Sequence, residues 1–241
     1  MPVAPEITSF SLKAGTSNVR KVAKSHPFHR YGDLELRSTD NTIFKVMSQR
    51  LVDVSDVFKN MLEIGNSDVT VDNKRKFLDA ANVINTGLST PELEIFLDLI
   101  SVAKPMMPDV NYATALNLFD FCDKFDVNKR VRNRVGSELF LRAKLEGFQW
   151  DLLIWAANHN DLTVAREALE RMNNIYFLIP SMLGADGKIN KKLFWEAMSM
   201  LPAAWQIALL RLSLTSSHNL NPRHMSVCRD WKGLAEKFQP V

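Results

Sequence analysis

The segment Gly32–Met61, GDLELRSTDNTIFKVMSQRLVDVSDVFKNM, constrains the fold more than any other part of this 241-residue chain. Leu34 and Leu36 alternate with Asp33, Glu35 and Arg37, the period of a strand with one face buried. Thr39-Asp40-Asn41 follows. Asp and Asn bond their own backbone and tolerate left-handed φ, so a tight turn is expected there. Ile43, Phe44 and Val46 supply a second β-branched and aromatic run. Beyond it, Met47, Leu51, Val54, Phe58 and Met61 fall three and four residues apart, the spacing of one helix face. A hairpin handing over to two short helices, with a polar break between them, is the expected local structure.

The rest of the chain reads mostly as helix. Asp68 to Asp72 is a short strand candidate closed by a polar turn to Arg75. Ser89-Thr90-Pro91-Glu92 announces a helix, with Thr90 able to cap, Pro91 suited to the first helical position and Glu92 to the positive dipole end. Its body, Leu93 to Ile100, is apolar nearly all round and is expected inside the protein. From Tyr112 to Phe125, Tyr112, Ala115, Leu116, Phe119 and Cys122 mark one apolar face, and Leu118, Phe121 and Phe125 mark another. Asp126 and Asn128 offer a cap for a helix over about 128 to 144. Further helices are expected over Phe148–His159, after the Asn160-Asp161 cap, and from Lys191 to about Leu214. Leu201-Pro202 interrupts the last of these, and proline inside a helix costs about 3 kcal/mol, so two helices or a kink should result. Residues 1 to 29 hold three prolines, scattered Ser and Thr and no sustained periodicity, and are expected to be a flexible leader.

Composition narrows the function classes. Apolar residues at 46% and charged residues at 24% can build an ordinary core. A formal charge of +3 is too small to argue for nucleic acid without clustered cations. The longest apolar run, Leu152 to Ala157, falls far short of the roughly 18 residues of a membrane span. The amino terminus lacks a basic region followed by an apolar one, so no secretory signal is expected. Two cysteines, Cys122 and Cys228, make no disulfide framework, and Cys122 among Phe119, Phe121 and Phe125 reads as a buried thiol. A reducing cytoplasmic or nuclear location is expected.

No motif points to catalysis. The phosphate, nucleophile-elbow and zinc-protease patterns do not occur, and 9 glycines leave little for a phosphate cradle. His26 and His29 lack an accompanying Cys pair, and His218, His224 and Cys228 are looser still. Asp186-Gly187-Lys188 imitates the centre of a calcium loop, but Met182, Gly184 and Leu193 stand where oxygen ligands belong. No catalytic, cofactor-binding or metal-ligating residue is assigned. The cations Lys129, Arg130, Arg132, Arg134, Arg142 and Lys144 read as a solvated helix face, with an acidic protein partner as the next account. Trp150, Trp155, Trp195, Met198, Met200 and Trp205 read as core, forming a partner groove wherever they are exposed.

The order of elements in the opening segment resembles that of a BTB (POZ) domain. Asp33, Phe44, Val46, Ser55, Val57 and Phe58 match its pattern. Ala115-Leu116 to Phe125-Asp126 looks like a later helix of that domain, and Trp150 to Leu169 resembles the helical extension that follows many of its members. The layout is most similar to stand-alone fungal BTB proteins. The resemblance implies an α+β fold, a short sheet capped by helices over 30–140, with an all-α extension over 141–241. It also implies a non-enzymatic adaptor or scaffold that binds protein, possible partners being a cullin-type ubiquitin ligase or a transcriptional complex. The alternatives are a homo-oligomerising structural protein and, further off, a ligand-binding protein or enzyme. Met47-Ser48 stands where the family has His followed by a cation, so the charged pocket of dimeric members lacks its cation here, and Asp33 has no evident partner. The candidate interface residues are Asp33, Arg130, Arg134, Trp150, Trp155 and Trp231.

Overall fold

The computed structural model describes residues 23–67, 83–102, 106–172, 191–215 and 230–240. The hairpin forms as its alternation requires. Strand β2 (Leu34–Arg37) runs antiparallel to β3 (Thr42–Val46), with Leu34 opposite Val46 and Leu36 opposite Phe44, all four buried. The turn places Asn41 at φ 66°, the left-handed conformation that Asn tolerates. Gly32 leads into β2 so close to β3 that a Cβ there would lie 2.2 Å from the Val46 carbonyl oxygen. A short strand, β4 (Val83–Asn85), joins β2 in parallel.

On the other edge the structure corrects the sequence reading. Residues 24–29, expected within the leader, belong to strand β1 (Lys24–Arg30), which pairs in parallel with β3 and gives the sheet order β1-β3-β2-β4. Its one buried side chain is His26. The ring stacks on Phe44 at 4.2 Å, and Nδ1 accepts the backbone N–H groups of Phe28 and His29. That leaves Nε2 to donate to Glu94 Oε1, 2.5 Å away. A strand anchored by one histidine has no apolar alternation to betray it.

Two short helices follow the hairpin, α1 (Ser48–Val52) and α2 (Asp56–Ser67). Next comes α3 (Thr90–Ser101), capped one residue earlier than expected: Glu92 Oε2 accepts from both Ser89 N–H and Ser89 Oγ. Thr90 is thereby released to bond Asp40, its N–H at 3.1 Å and its hydroxyl at 2.7 Å, tying the hairpin turn to the helix start.

Helix α4 (Tyr112–Lys124) is buried on two faces, as its pattern demands. Phe121 meets Phe96 of α3 edge-on at 4.7 Å, and Phe125 stacks on Phe58 of α2 at 4.6 Å. The junction after α4 is also stitched to the one before α2. Ser55 Oγ donates to the Phe125 carbonyl and accepts Phe58 N–H at 3.0 Å, while Asn128 N–H donates to the Val54 carbonyl at 2.7 Å.

The second half is helical: α5 (Lys129–Glu146), α6 (Gln149–His159), α7 (Leu162–Glu170), α8 (Lys191–Ser199), α9 (Ala203–Thr215) and α10 (Trp231–Lys237). Asn128, Asp161 and Asp230 cap three of them, and Gly147 and Asn160 close two in left-handed conformation. Pro202 separates α8 from α9, as its missing N–H requires. Past α10, Phe238 is buried edge-on against Trp205 at 5.2 Å, and its carbonyl accepts from the Arg166 guanidinium at 3.1 Å. One apolar cluster runs from Leu34 to Phe238. The protein is therefore a mixed α and β structure with a small sheet and many helices. Residues 1–22, the strand candidate at 68–72, the calcium-loop imitation and the His218–Cys228 set lie outside the described residues.

Replacing Ser55 with Ala should cost about 1–3 kcal/mol, because a buried carbonyl and a buried N–H both lose their partner. Urea unfolding of the two proteins measures it, and a loss below about 0.5 kcal/mol would contradict the role given to this serine.

Candidate protein-interaction surface

The β3–α1 junction brings the first candidate residue into use. Met47 precedes α1 without offering a side-chain cap. Asp33, across the hairpin, supplies one: its carboxylate accepts Ser48 N–H at 2.7 Å and Ser48 Oγ at 2.5 Å. The serine hydroxyl, and after it the serine N–H, hold the Asp33 carboxyl below the ordinary carboxylate range, against a small opposing effect of burial. The expectation that Asp33 lacks a partner is thus corrected. The serine at the position where a cation was sought satisfies the acid within the chain.

Beside this junction lies a small cleft of about 110 Å³, lined by His29, Tyr31, Lys45, Met47, Arg50 and Ile100 among others. Tyr31 is 88% exposed and Met47 54% exposed, and Phe28 on β1 is almost wholly in water. Lys45 sits 3.3 Å from Glu35 on β2, and Arg50 donates to Ser101 Oγ at 3.1 Å. His29 is held below its ordinary range, first by partial burial and then by His26, against the pull of Asp98 and Glu94. An apolar rim above two cations suits a peptide with bulky and acidic side chains. Away from the cleft, burial pushes the Cys122 thiol up to about 12.

The remaining candidates scatter. Arg130 and Arg134 are exposed on the outward face of α5, as a solvated face requires. Two other cations of that helix serve the fold. Arg132 bridges Asp123 and Asp161 at 3.1 and 3.0 Å and lies over the Phe119 ring, and Arg142 pairs with Glu138 and Asp109. Trp150 is 1% exposed and Trp231 8%, so both belong to the core and neither offers a surface for a partner. Each sits on the inward side of its helix, Trp150 beside the buried Leu153 and Trp231 beside the buried Leu234. Trp155 is partly buried, edge-on to Phe119 and stacked on His159 at 4.0 Å. Of the other aromatic and Met positions, Met198 and Trp205 are buried, whereas Trp195 and Met200 face water.

Sequence reasoning missed Phe28 and Tyr31, which lie in or beside the segment read as leader. It also missed Leu141 and Leu145, which are exposed on α5. Their signal was available: at about 100° per residue Leu141 lies about 140° and Leu145 about 100° around the helix from the centre of the stripe Val131, Val135, Leu139 and Ala143. Among the described residues, no group of three or more His, Cys, Asp or Glu side chains is placed to hold a metal ion, and no helix is long and apolar enough to cross a membrane. Comparison of the sequence with protein-family models and with curated proteins gives no match.

The Asp33–Ser48 pair makes a pH-dependent contribution whose sign is fixed. A carboxylate depressed below 3.8 stabilises the fold fully above that value and loses its contribution as pH falls through the depressed one. Ser48→Ala should therefore lower stability at pH 7 by a few tenths to about 1 kcal/mol, given solvent screening. The gap in urea midpoint between the two proteins should narrow toward about pH 3. A gap of the same size at both pH values would contradict the bond.

Proposed function

We propose that this chain is a non-enzymatic protein-interaction module, an adaptor or scaffold of BTB type with a helical extension. The observation that carries this reading is the exposure of Tyr31 and Met47 at the rim of a cation-lined cleft, in a protein that buries one apolar cluster running from Leu34 to Phe238. Burying an apolar side chain of that size is worth about 1.5–3 kcal/mol. The fold leaves that free energy for a partner to collect. Aromatic residues, Met and Arg are also the residue types enriched where partners meet.

Further support comes from the hairpin, the helix pair after it and the Ser55–Phe58 junction, which lie in the order that the BTB resemblance implies. Within the class, the resemblance implies two uses, recruitment of a cullin-type ubiquitin ligase scaffold or assembly of a transcriptional complex. The Asp33 carboxylate already accepts two bonds from Ser48 within one chain, which weakens the case for a homodimer built on its charge.

Light scattering on a sizing column, with this chain alone and mixed with a cullin amino-terminal domain, tests the reading. The expected result is one peak at the summed mass of the two chains. Separate elution of unchanged species would overturn the ligase-adaptor reading. A mass for the chain alone that rises with concentration would favour the homo-oligomer instead.

A further inference from the structure

We propose that the outward face of α5 is a docking stripe for an amphipathic helix of a partner protein, one whose apolar residues are flanked by carboxylates. The proposal rests on the interaction-module reading and names the chemistry of one partner.

Helix α5 has 18 residues, which at 1.5 Å each makes it about 27 Å long. Its inward side is Val131, Val135, Leu139 and Ala143, all buried. At about 100° per residue Arg134, Ser137, Leu141, Lys144 and Leu145 fall on one arc of about 100°, turned about 100° to 180° from the centre of that inward side, and every one of them is exposed. Leu141 is 45% exposed and Leu145 66%, a pair spaced by one turn on a face that normally carries polar residues. Phe148 extends the line just past the helix end, 39% exposed and stacked on Tyr112 at 4.7 Å. The apolar part is therefore continuous over two turns and flanked by Arg134 and Lys144.

The charge on the stripe is of one sign. Glu138, the nearest acid on the helix, is bonded to Arg142 at 2.6 Å, and Arg142 is also paired with Asp109. No carboxylate of α5 therefore competes for Arg134 or Lys144 along the exposed line. A docked helix presenting Leu, Ile or Met at three- and four-residue spacing would cover Leu141 and Leu145, and its Asp or Glu residues would meet the two cations. Nucleic acid fits less well, because two leucines occupy the centre of the line where phosphates would need cations.

The test is fluorescence anisotropy of a labelled peptide of about 16 residues, a length matched to the stripe. It carries Leu at positions i, i+3, i+4 and i+7, with Glu on both flanks. It is titrated with the full chain and with two double variants, L141Q/L145Q and R134Q/K144Q. These exposed substitutions should leave the thermal melt unchanged. The expected result is saturable binding, weakened about tenfold or more by L141Q/L145Q. R134Q/K144Q should weaken it about three- to tenfold at low salt and less at about 300 mM, where exposed charges are screened. A peptide with Lys in place of Glu should bind about tenfold more weakly. Absence of saturation, equal binding by all variants, equal binding of the Lys peptide, or a preference for anionic lipid vesicles over the Glu peptide would each overturn the proposal. The same preparations mixed with the cullin domain keep the two ideas apart. If the mass shift survives while the peptide fails, the α5 stripe alone is wrong.

Discussion

The burial of α4 on two faces is the constraint from which the rest of the architecture follows. A helix apolar on two faces must have both of them covered, and here each face is covered by a different part of the chain. Phe121 and Phe125 draw in Phe96 from α3 and Phe58 from α2, and so hold the sheet half. Phe119 faces the other way, edge-on to Trp155 of α6 and under the Arg132 guanidinium, and so holds the helical half. Arg132 in turn spans Asp123 and Asp161, fixing the start of α7. The two halves of the molecule meet through one helix, and a serine clamp at Ser55 keeps its end in register with the start of α2.

Against this core stand the apolar side chains left in water. A few exposed hydrophobic residues are ordinary in any protein. Among the described residues, Phe28, Tyr31 and Met47 are exposed on β1 and beside the β3–α1 junction, and Leu141, Leu145 and Phe148 along the back of α5, while Met61, Val102, Met106, Trp195, Met200 and Ile207 are exposed elsewhere. Three reactive groups among the described residues lie inside the protein. Cys122 and Tyr112 are buried in the packing around α4, and His26 anchors an edge strand.

What the sequence revealed was what local rules govern. The alternation of Leu34 and Leu36, the turn at Asn41, the double face of α4 and the break at Pro202 are all set by neighbours within a few residues. What escaped was long-range. Strand β1 exists because His26 finds Phe44 and Glu94, the latter 68 residues away, and nothing in Lys24–Arg30 itself announces a strand. The partner of Asp33 was invisible for the same reason, since Ser48 lies across a hairpin. Trp150 and Trp231 misled in the opposite direction. Tryptophan is common both in cores and at interfaces, and only burial distinguishes the two. Leu141 and Leu145 were legible from helix periodicity, but were passed over because the cations between and around them drew attention to charge.

Under the proposed function, these exposed apolar side chains are covered by another protein. The most direct measurement is quantitative affinity capture with the full chain and with a Tyr31→Asp, Met47→Asp variant whose melting temperature matches it. The account predicts a stoichiometric protein companion held by the unaltered chain and lost from the variant. Identical companions on both, or none on either, would contradict it.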